Sequence, residues 1–226
     1  DGSVSWSLGY YYYEQDRATL ARDFTGFNRF NLISTGTNQV ENKAVFGNVE
    51  WQINDQFTAA FDGRYAADTI SRQSDNSAAE ETFYNFSPRF ILRWTPTDNL
   101  STYVSAAQGN KPGGFNFQYF ENDVDPNELI ENAAKTVIQE EEAWTYELGM
   151  KGELLDGRLN MSGALFYIDW TNQAINVQEC IDLIDIDTGD PLGTCELNNI
   201  VRNAGESRVF GLELEGTFFA TDSLYF

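Results

Sequence analysis

The chain has 226 residues, with 35 acidic residues against 14 basic ones, no histidine and a formal charge of −21. That balance speaks against nucleic acid as a partner, because phosphate binding needs clustered Lys and Arg. Without histidine there is no Ser-His-Asp or Cys-His catalysis, no His-ligated metal site and no usual general base near neutral pH, so neither an enzyme nor a cofactor is expected.

No run approaches the ~18 consecutive apolar residues of a membrane-spanning helix. The 17 Phe, 11 Tyr and 5 Trp instead fall in alternation, as in strands where only every second residue meets lipid. The opening Asp1-Gly2-Ser3-Val4-Ser5 reads as a turn entering a strand, and no secretory signal is visible. The first strand sets Val4, Trp6, Leu8, Tyr10 and Tyr12 against Ser5, Ser7 and Gly9. Next, Val45, Gly47, Val49, Trp51 and Ile53 oppose Asn48, Glu50 and Gln52, and Phe57, Ala59, Phe61, Gly63 and Tyr65 oppose Thr58, Asp62 and Arg64. From 83 to 94, Tyr84, Phe86, Phe90, Leu92 and Trp94 share a face with Pro88, while Asn85, Ser87, Arg89 and Arg93 share the other. Two arginines on one face are costly against lipid and comfortable in a wet lumen.

The run from Leu100 to Ala107 is weaker and could face either way. Trp144, Tyr146, Leu148 and Met150 then oppose Thr145, Glu147 and Lys151; Leu159, Met161, Gly163, Leu165 and Tyr167 oppose Arg158, Asn160 and Ser162; Phe210, Leu212, Leu214 and Phe218 oppose Glu213, Glu215 and Thr217. This makes about eight strands, each able to cross a bilayer when tilted. Connections at 54–56, 95–99, 155–157 and 220–223 are short; those near 15–41, 69–82, 108–141 and 173–205 are long. Outer-membrane barrels sort their connections in this way, with short periplasmic turns and long outer loops. Residues 221–226 read as a turn and the opening of another strand, so the sequence is expected to be part of a longer protein.

Several phrases resemble the C-terminal barrel of TonB-dependent receptors, in particular iron-complex receptors. They are Phe86-Ser87-Pro88-Arg89-Phe90 running into Leu92-Arg93-Trp94-Thr95-Pro96; Gly109-Asn110-Lys111-Pro112-Gly113-Gly114-Phe115-Asn116; Glu141 with Trp144-Thr145-Tyr146-Glu147-Leu148-Gly149-Met150-Lys151; and Asn203-Ala204-Gly205-Glu206 before Gly211-Leu212-Glu213-Leu214-Glu215. Their order and spacing cover roughly residues 40 to 226. The resemblance implies an antiparallel transmembrane β-barrel of twenty-two strands, of which this chain supplies about eight. It also implies an N-terminal plug domain, not found in this sequence, energy delivered through TonB, and most commonly a ferric siderophore as cargo. The expected setting is the outer membrane of a Gram-negative bacterium, against lipid and lipopolysaccharide, with residues 1–226 forming one partial barrel domain.

On the water-facing side, Glu50, Asp62, Arg64, Arg89, Arg93, Glu147, Lys151, Glu213 and Glu215 are expected to contact the plug or form a solvated wall with cross-strand ion pairs. Gly149 and Gly211 mark bends or close packing. Asn110, Phe115, Phe117 and Tyr119 are the candidates for substrate contact, although aromatics just beyond a strand end also suit an interfacial belt. Residues 128–137 could form a short loop helix. Cys180 and Cys195 are expected to form a disulfide, contributing roughly 3 kcal/mol in the chain-entropy picture. The acidic run Asp182, Asp185, Asp187, Asp190 and Glu196 reads as a solvated loop, since Asp190 stands where a calcium loop needs glycine. Two other readings compete: an autonomous eight-stranded barrel closing Val4–Tyr12 onto Ser207–Phe219 in a structural or adhesion role, and a soluble glycan-binding β-sandwich.

Overall fold

The computed structural model describes residues 2–24, 30–74, 78–116, 137–184, 191–221 and 224–225; some side chains at the strand tips, those of Cys180 and Cys195 among them, lie outside the description. The elements are β1 (Val4–Phe24), β2 (Phe30–Gln52), β3 (Phe57–Ser74), β4 (Ala78–Thr97), β5 (Leu100–Lys111), β6 (Gly114–Phe115), β7 (Val137–Ile138), β8 (Glu141–Leu154), β9 (Leu159–Ile184), β10 (Pro191–Thr221) and β11 (Leu224–Tyr225). There is no helix among the described residues. Eight long strands and the short β11 form one antiparallel meander in the order β1-β2-β3-β4-β5-β8-β9-β10-β11, and β6 pairs with β7 as a separate small sheet.

Register carries the two-residue rhythm across the whole sheet. Trp6 lies opposite Val49, Val49 opposite Phe61, Phe61 opposite Phe90 and Leu92 opposite Val104. The row continues through Val104 and Leu148, Leu148 and Leu165, and Leu165 and Leu212. Because side chains alternate strictly between faces, such a run is possible only if every strand keeps the same phase. This register also fixes the weak strand β5: Thr102, Val104 and Ala106 join the apolar face, and Tyr103 joins the polar one.

The apolar face is exposed rather than packed. Trp6 is 74% exposed and Phe210 75%, and Trp51 and Trp94 are nearly half exposed. A sandwich would bury these residues in a core; here the buried apolar side chains among the described residues are Ala44, Ala66, Phe83, Phe115 and Ile200. Aromatic girdles bound the apolar band, with Phe57 stacked on Trp94 at 6.2 Å near the short turns. Further up, Tyr65 stacks on Tyr84 at 6.5 Å and Tyr146 on Tyr167 at 6.3 Å. Phe57 and Tyr65 share β3 and lie about 26 Å apart at about 3.3 Å per residue, which suits a hydrocarbon layer crossed at a tilt. Just beyond the upper girdle the outward pairs Lys43–Glu41 and Arg208–Asp169 mark the return of water.

Two expectations change. β1 pairs with β2 and β10 pairs with β9 and β11, so Val4–Tyr12 does not close onto Ser207–Phe219 and no eight-stranded barrel forms. The long connections are also shorter than the sequence suggests, because β1 and β2 stay paired from Glu14↔Glu41 out to Phe24↔Phe30, and β3 pairs with β4 out to Gln73↔Ala78. Beyond the membrane both faces of a hairpin meet water, so the strands continue without apolar alternation.

Candidate functional site

The polar face holds two separate arrangements. Near the short turns, a recess of about 480 Å³ is lined by Ser101, Lys151, Glu153, Asn160, Ser162 and Glu215. A second of about 320 Å³ adjoins it through Lys151, Ser162 and Glu215, and adds Tyr103, Glu147 and Glu213. Tyr103 donates its hydroxyl to Glu147 and lies flat over Gly149, its partner on β8. Phe166 lies in the same way over Gly211. Any side chain at either glycine would push a ring off the wall, and of the two rings Tyr103 lines the second recess. Higher on the same face, Asp62 and Arg89 are directly opposite and form an ion pair at 2.7 Å.

At the far end a strap crosses the polar face. β6 and β7 form its two strands, and Phe83 packs against its Gly113. Two asparagines fasten it to β10. Asn116 donates to Val201 O at 2.8 Å and accepts from Val201 N at 2.7 Å. Asn203 accepts from Gln139 N at 2.7 Å and donates to Gln139 O and Asn172 O. Asn203 reaches the strap because β10 bulges between Asn203 and Ser207, and a bulge re-aims the side chains beside it. Lys111 and Glu141 pair at 2.5 Å at the strap's foot, where Glu141 is buried. On the opposite side, Asn85 bridges Asp68 on β3 and Glu140 on the strap, at 2.9 and 3.2 Å. Burial raises the Glu140 pKa, with Asp68 and Glu142 adding to it and the Asn85 hydrogen bond opposing it.

The family model for a TonB dependent receptor-like β-barrel matches residues 1–225. This chain belongs to that family. Over 123 residues the barrel is 32% identical to the probable TonB-dependent siderophore receptor PiuA of Acinetobacter baumannii, covering 54% of this chain and 13% of that protein. The ferric yersiniabactin uptake receptor FyuA from Yersinia pestis superposes with a TM-score of 0.66 at 18% identity, over 97% of this chain and 30% of that one. The copper transporter OprC gives a TM-score of 0.67 at 10% identity, over 96% of this chain and 33% of that one. The receptor wall seen here thus spans about a third of the solved chains it matches. The fold is that of a transmembrane β-barrel wall of a TonB-dependent receptor, open at both edges.

Within the receptor wall, Glu50, Asp62, Arg64, Arg89, Arg93, Glu147, Lys151, Glu213 and Glu215 all have the polar phase, opposite the lipid-facing row. The candidates for substrate contact separate. Asn110 donates to Ser87 Oγ at 3.0 Å, filling the gap left where the β4–β5 ladder stops at Arg89↔Ala107. Phe115 is only 5% exposed, packed within the strap and not on a ligand-stacking surface. Phe117, Tyr119 and the proposed helix up to residue 136 lie outside the described residues; Val137 is in strand. Cys180 and Cys195 stand on neighbouring strands, where Leu197 and Asp182 are their respective backbone partners. The acidic run 185–190 is outside the description, and no group of three or more metal-ligating side chains occurs among the described residues. Sequence reasoning passed over Asn116 and Asn203 as anchors although both stand in the phrases that resembled the family.

Proposed function

We propose that this chain is part of the wall of an outer-membrane receptor that takes up a scarce nutrient, a ferric siderophore foremost, with energy delivered through TonB. The observation that carries this reading is the single sheet with girdled apolar residues on one face and charged recesses crossed by a strap on the other. The siderophore and yersiniabactin receptors among its relatives support the choice of cargo. The apolar face meets outer-membrane lipid, and its upper rim meets lipopolysaccharide, in a Gram-negative cell. The lower recesses, with Glu147, Lys151, Glu213 and Glu215, would seat a plug domain; a solvated wall is the alternative role for Glu50, Asp62, Arg64, Arg89 and Arg93. Phe117 and Tyr119, between β6 and β7 in sequence, would contact the cargo, and Cys180 and Cys195 would be joined as a disulfide.

The test is uptake of radiolabelled iron by iron-starved cells of the source bacterium with and without the gene. Uptake of at least one ferric chelate should be lost on deletion, and equally lost when TonB is inactivated. Unchanged uptake of every ferric chelate tested would contradict the cargo assignment; loss that is indifferent to TonB would contradict the energy source.

A further inference from the structure

The wall divides at the upper girdle. β4 and β5 are paired from Thr97↔Leu100 to Arg89↔Ala107, and the ladder stops beside Pro88, which brings no N–H to extend it. Beyond that point, among the described residues, β4 runs on to Ala78 beside β3 alone and β5 runs on to Lys111 beside β8 alone. The β5–β8 hairpin therefore ends at Lys111 and Glu141, while β4 on one side and β9 on the other continue outward. A barrel ordinarily leaves no strand edge unpaired; here the edge of β4 from Phe83 to Ser87 faces a gap within the wall.

Three contacts bridge the gap. Asn110 of β5 donates to Ser87 Oγ at 3.0 Å and to Phe86 O at 3.4 Å. Phe83 packs against Gly113 of the strap. Asn85 donates to Glu140 at 3.2 Å, and the same amide group donates to Asp68 at 2.9 Å. The strap is held more firmly on its other side. Asn116 makes two hydrogen bonds to Val201 and Asn203 two to Gln139, and Asn172 of β9 donates to Glu140 O at 2.5 Å. Lys111 and Glu141 root it between β5 and β8. The strap thus belongs to β5–β10, and β4 touches that body above Pro88 only through one ring and the amides of two asparagines.

The Asn85–Glu140 bond is the fragile one of the three. Asp68 of β3 and Glu142 of β8 both repel the Glu140 carboxylate. Lys111 of β5 is taken by Glu141 and Arg64 of β3 turns to Asn42, while β4, β9 and β10 present the uncharged Asn85, Asn172 and Asn203. Burial raises the Glu140 pKa, and the two carboxylates raise it further against the Asn85 hydrogen bond. A carboxyl group raised in the closed state supports closure fully below the ordinary carboxylate range. That support is lost as pH rises through the raised value.

We infer that the seam between β4 and β5 is a side slit in the outer part of the wall, fastened by Asn85–Glu140 and Asn110–Ser87, with the strap carried on the β10 side. When the slit parts, β1–β4 separate from the strap above Pro88 while the β4–β5 ladder below stays paired, and the polar face gains an entrance from the side. The slit needs only the barrel wall, so it stands apart from the choice of cargo.

Paired spin labels test it in the whole receptor in bilayers, with Cys180 and Cys195 replaced by serine. One pair spans the slit, at Glu81→Cys on β4 and Gly109→Cys on β5; both positions are exposed, and a side chain at Gly109 meets nothing within 4 Å. The other pair, Gly109→Cys with Glu206→Cys, lies within the β5–β10 side. Between about pH 4 and about pH 8 the first distance should lengthen by about 5 Å, one strand spacing, and the second should stay constant. Glu140→Gln should keep the first distance short at both pH values, because its amide oxygen still accepts from Asn85 without charge. Asn85→Ala combined with Asn110→Ala should keep it long at both. Each variant is first confirmed folded by its faster migration in unboiled gel samples. A slit distance that is the same at both pH values without these changes, or that stays short in the folded double variant, would overturn the slit. Equal lengthening of both pairs would overturn it as well, since the whole wall would then be deforming.

Discussion

Tyr103 illustrates how little room a side chain has on the inner face of this wall. Its ring covers Gly149 and its hydroxyl is held by Glu147, so Gly149→Ala must swing the ring into the recess and release that bond. Overpacking of this kind costs about 1–3 kcal/mol, and the midpoint for losing gel heat-modifiability should fall accordingly; adding Tyr103→Ser to Gly149→Ala should restore it. Failure of the second change to rescue would show that the ring is not what the methyl meets. Glu140 gives a pH signature. Its pKa is raised in the folded strap by burial, so the strap is most stable below the ordinary carboxylate range and loosens as pH rises through the raised value. Protease cleavage within 117–136 should therefore speed up with rising pH, and Glu140→Gln should flatten that dependence. At this scale the sequence was partly readable: it put Glu50, Asp62, Arg64, Arg89, Arg93, Glu147, Lys151, Glu213 and Glu215 on one side of their strands, because face follows from parity, but left the outward Lys43–Glu41 and Arg208–Asp169 pairs unassigned. The partners of Asn110, Asn116 and Asn203 were hidden, because they arise from a ladder that stops early and from a bulge, neither of which leaves a periodic trace.

The strands were legible wherever lipid imposed its alternation. β3, β4, β8 and the membrane portion of β10 could be taken directly from the sequence, since one face of each had to be apolar. Beyond the girdles that constraint ends, so the outward extensions of β1, β2, β9 and β10 looked like loops. β5 was ambiguous because Ser101, Thr102 and Ser105 blur its two faces; only pairing with β4 and β8 sets its phase. The strap is the element whose removal should be most informative. Asn203→Ala leaves Gln139 N and O without their side-chain partner, a loss of about 0.5–1.5 kcal/mol for each hydrogen bond at an exposed site. Proteolysis at the strap should quicken while the barrel's heat-modifiability changes little; equal loss of both would make Asn203 part of the wall and not an anchor. For β9 and β10, thiol labelling of the unfolded, unreduced protein should leave Cys180 and Cys195 unmodified until a reductant is added. Labelling of both beforehand would exclude the disulfide.

At the scale of the molecule, nine strands in one open sheet bury almost no apolar surface between layers. Such an object is stable only where lipid covers one face and a partner or water covers the other. A sandwich fails because its core would have to contain the residues that are most exposed here, and an autonomous barrel fails because β1 and β10 are not neighbours. If a plug sits on the lower recesses, Glu147→Gln with Glu213→Gln should loosen it and raise outer-membrane permeability to large antibiotics several-fold, without loss of the barrel; unchanged permeability would leave these carboxylates as solvated wall. Every role of the wall depends on which face meets lipid. Spin labels placed singly at Phe210, Leu212 and Leu214, and at Glu213 and Glu215, of the receptor in bilayers measure this directly through collision with oxygen and with a water-soluble nickel complex. The first three should be reached by oxygen and the last two by nickel, alternating along β10. Uniform access to nickel at all five positions, or the reverse alternation, would contradict the membrane assignment.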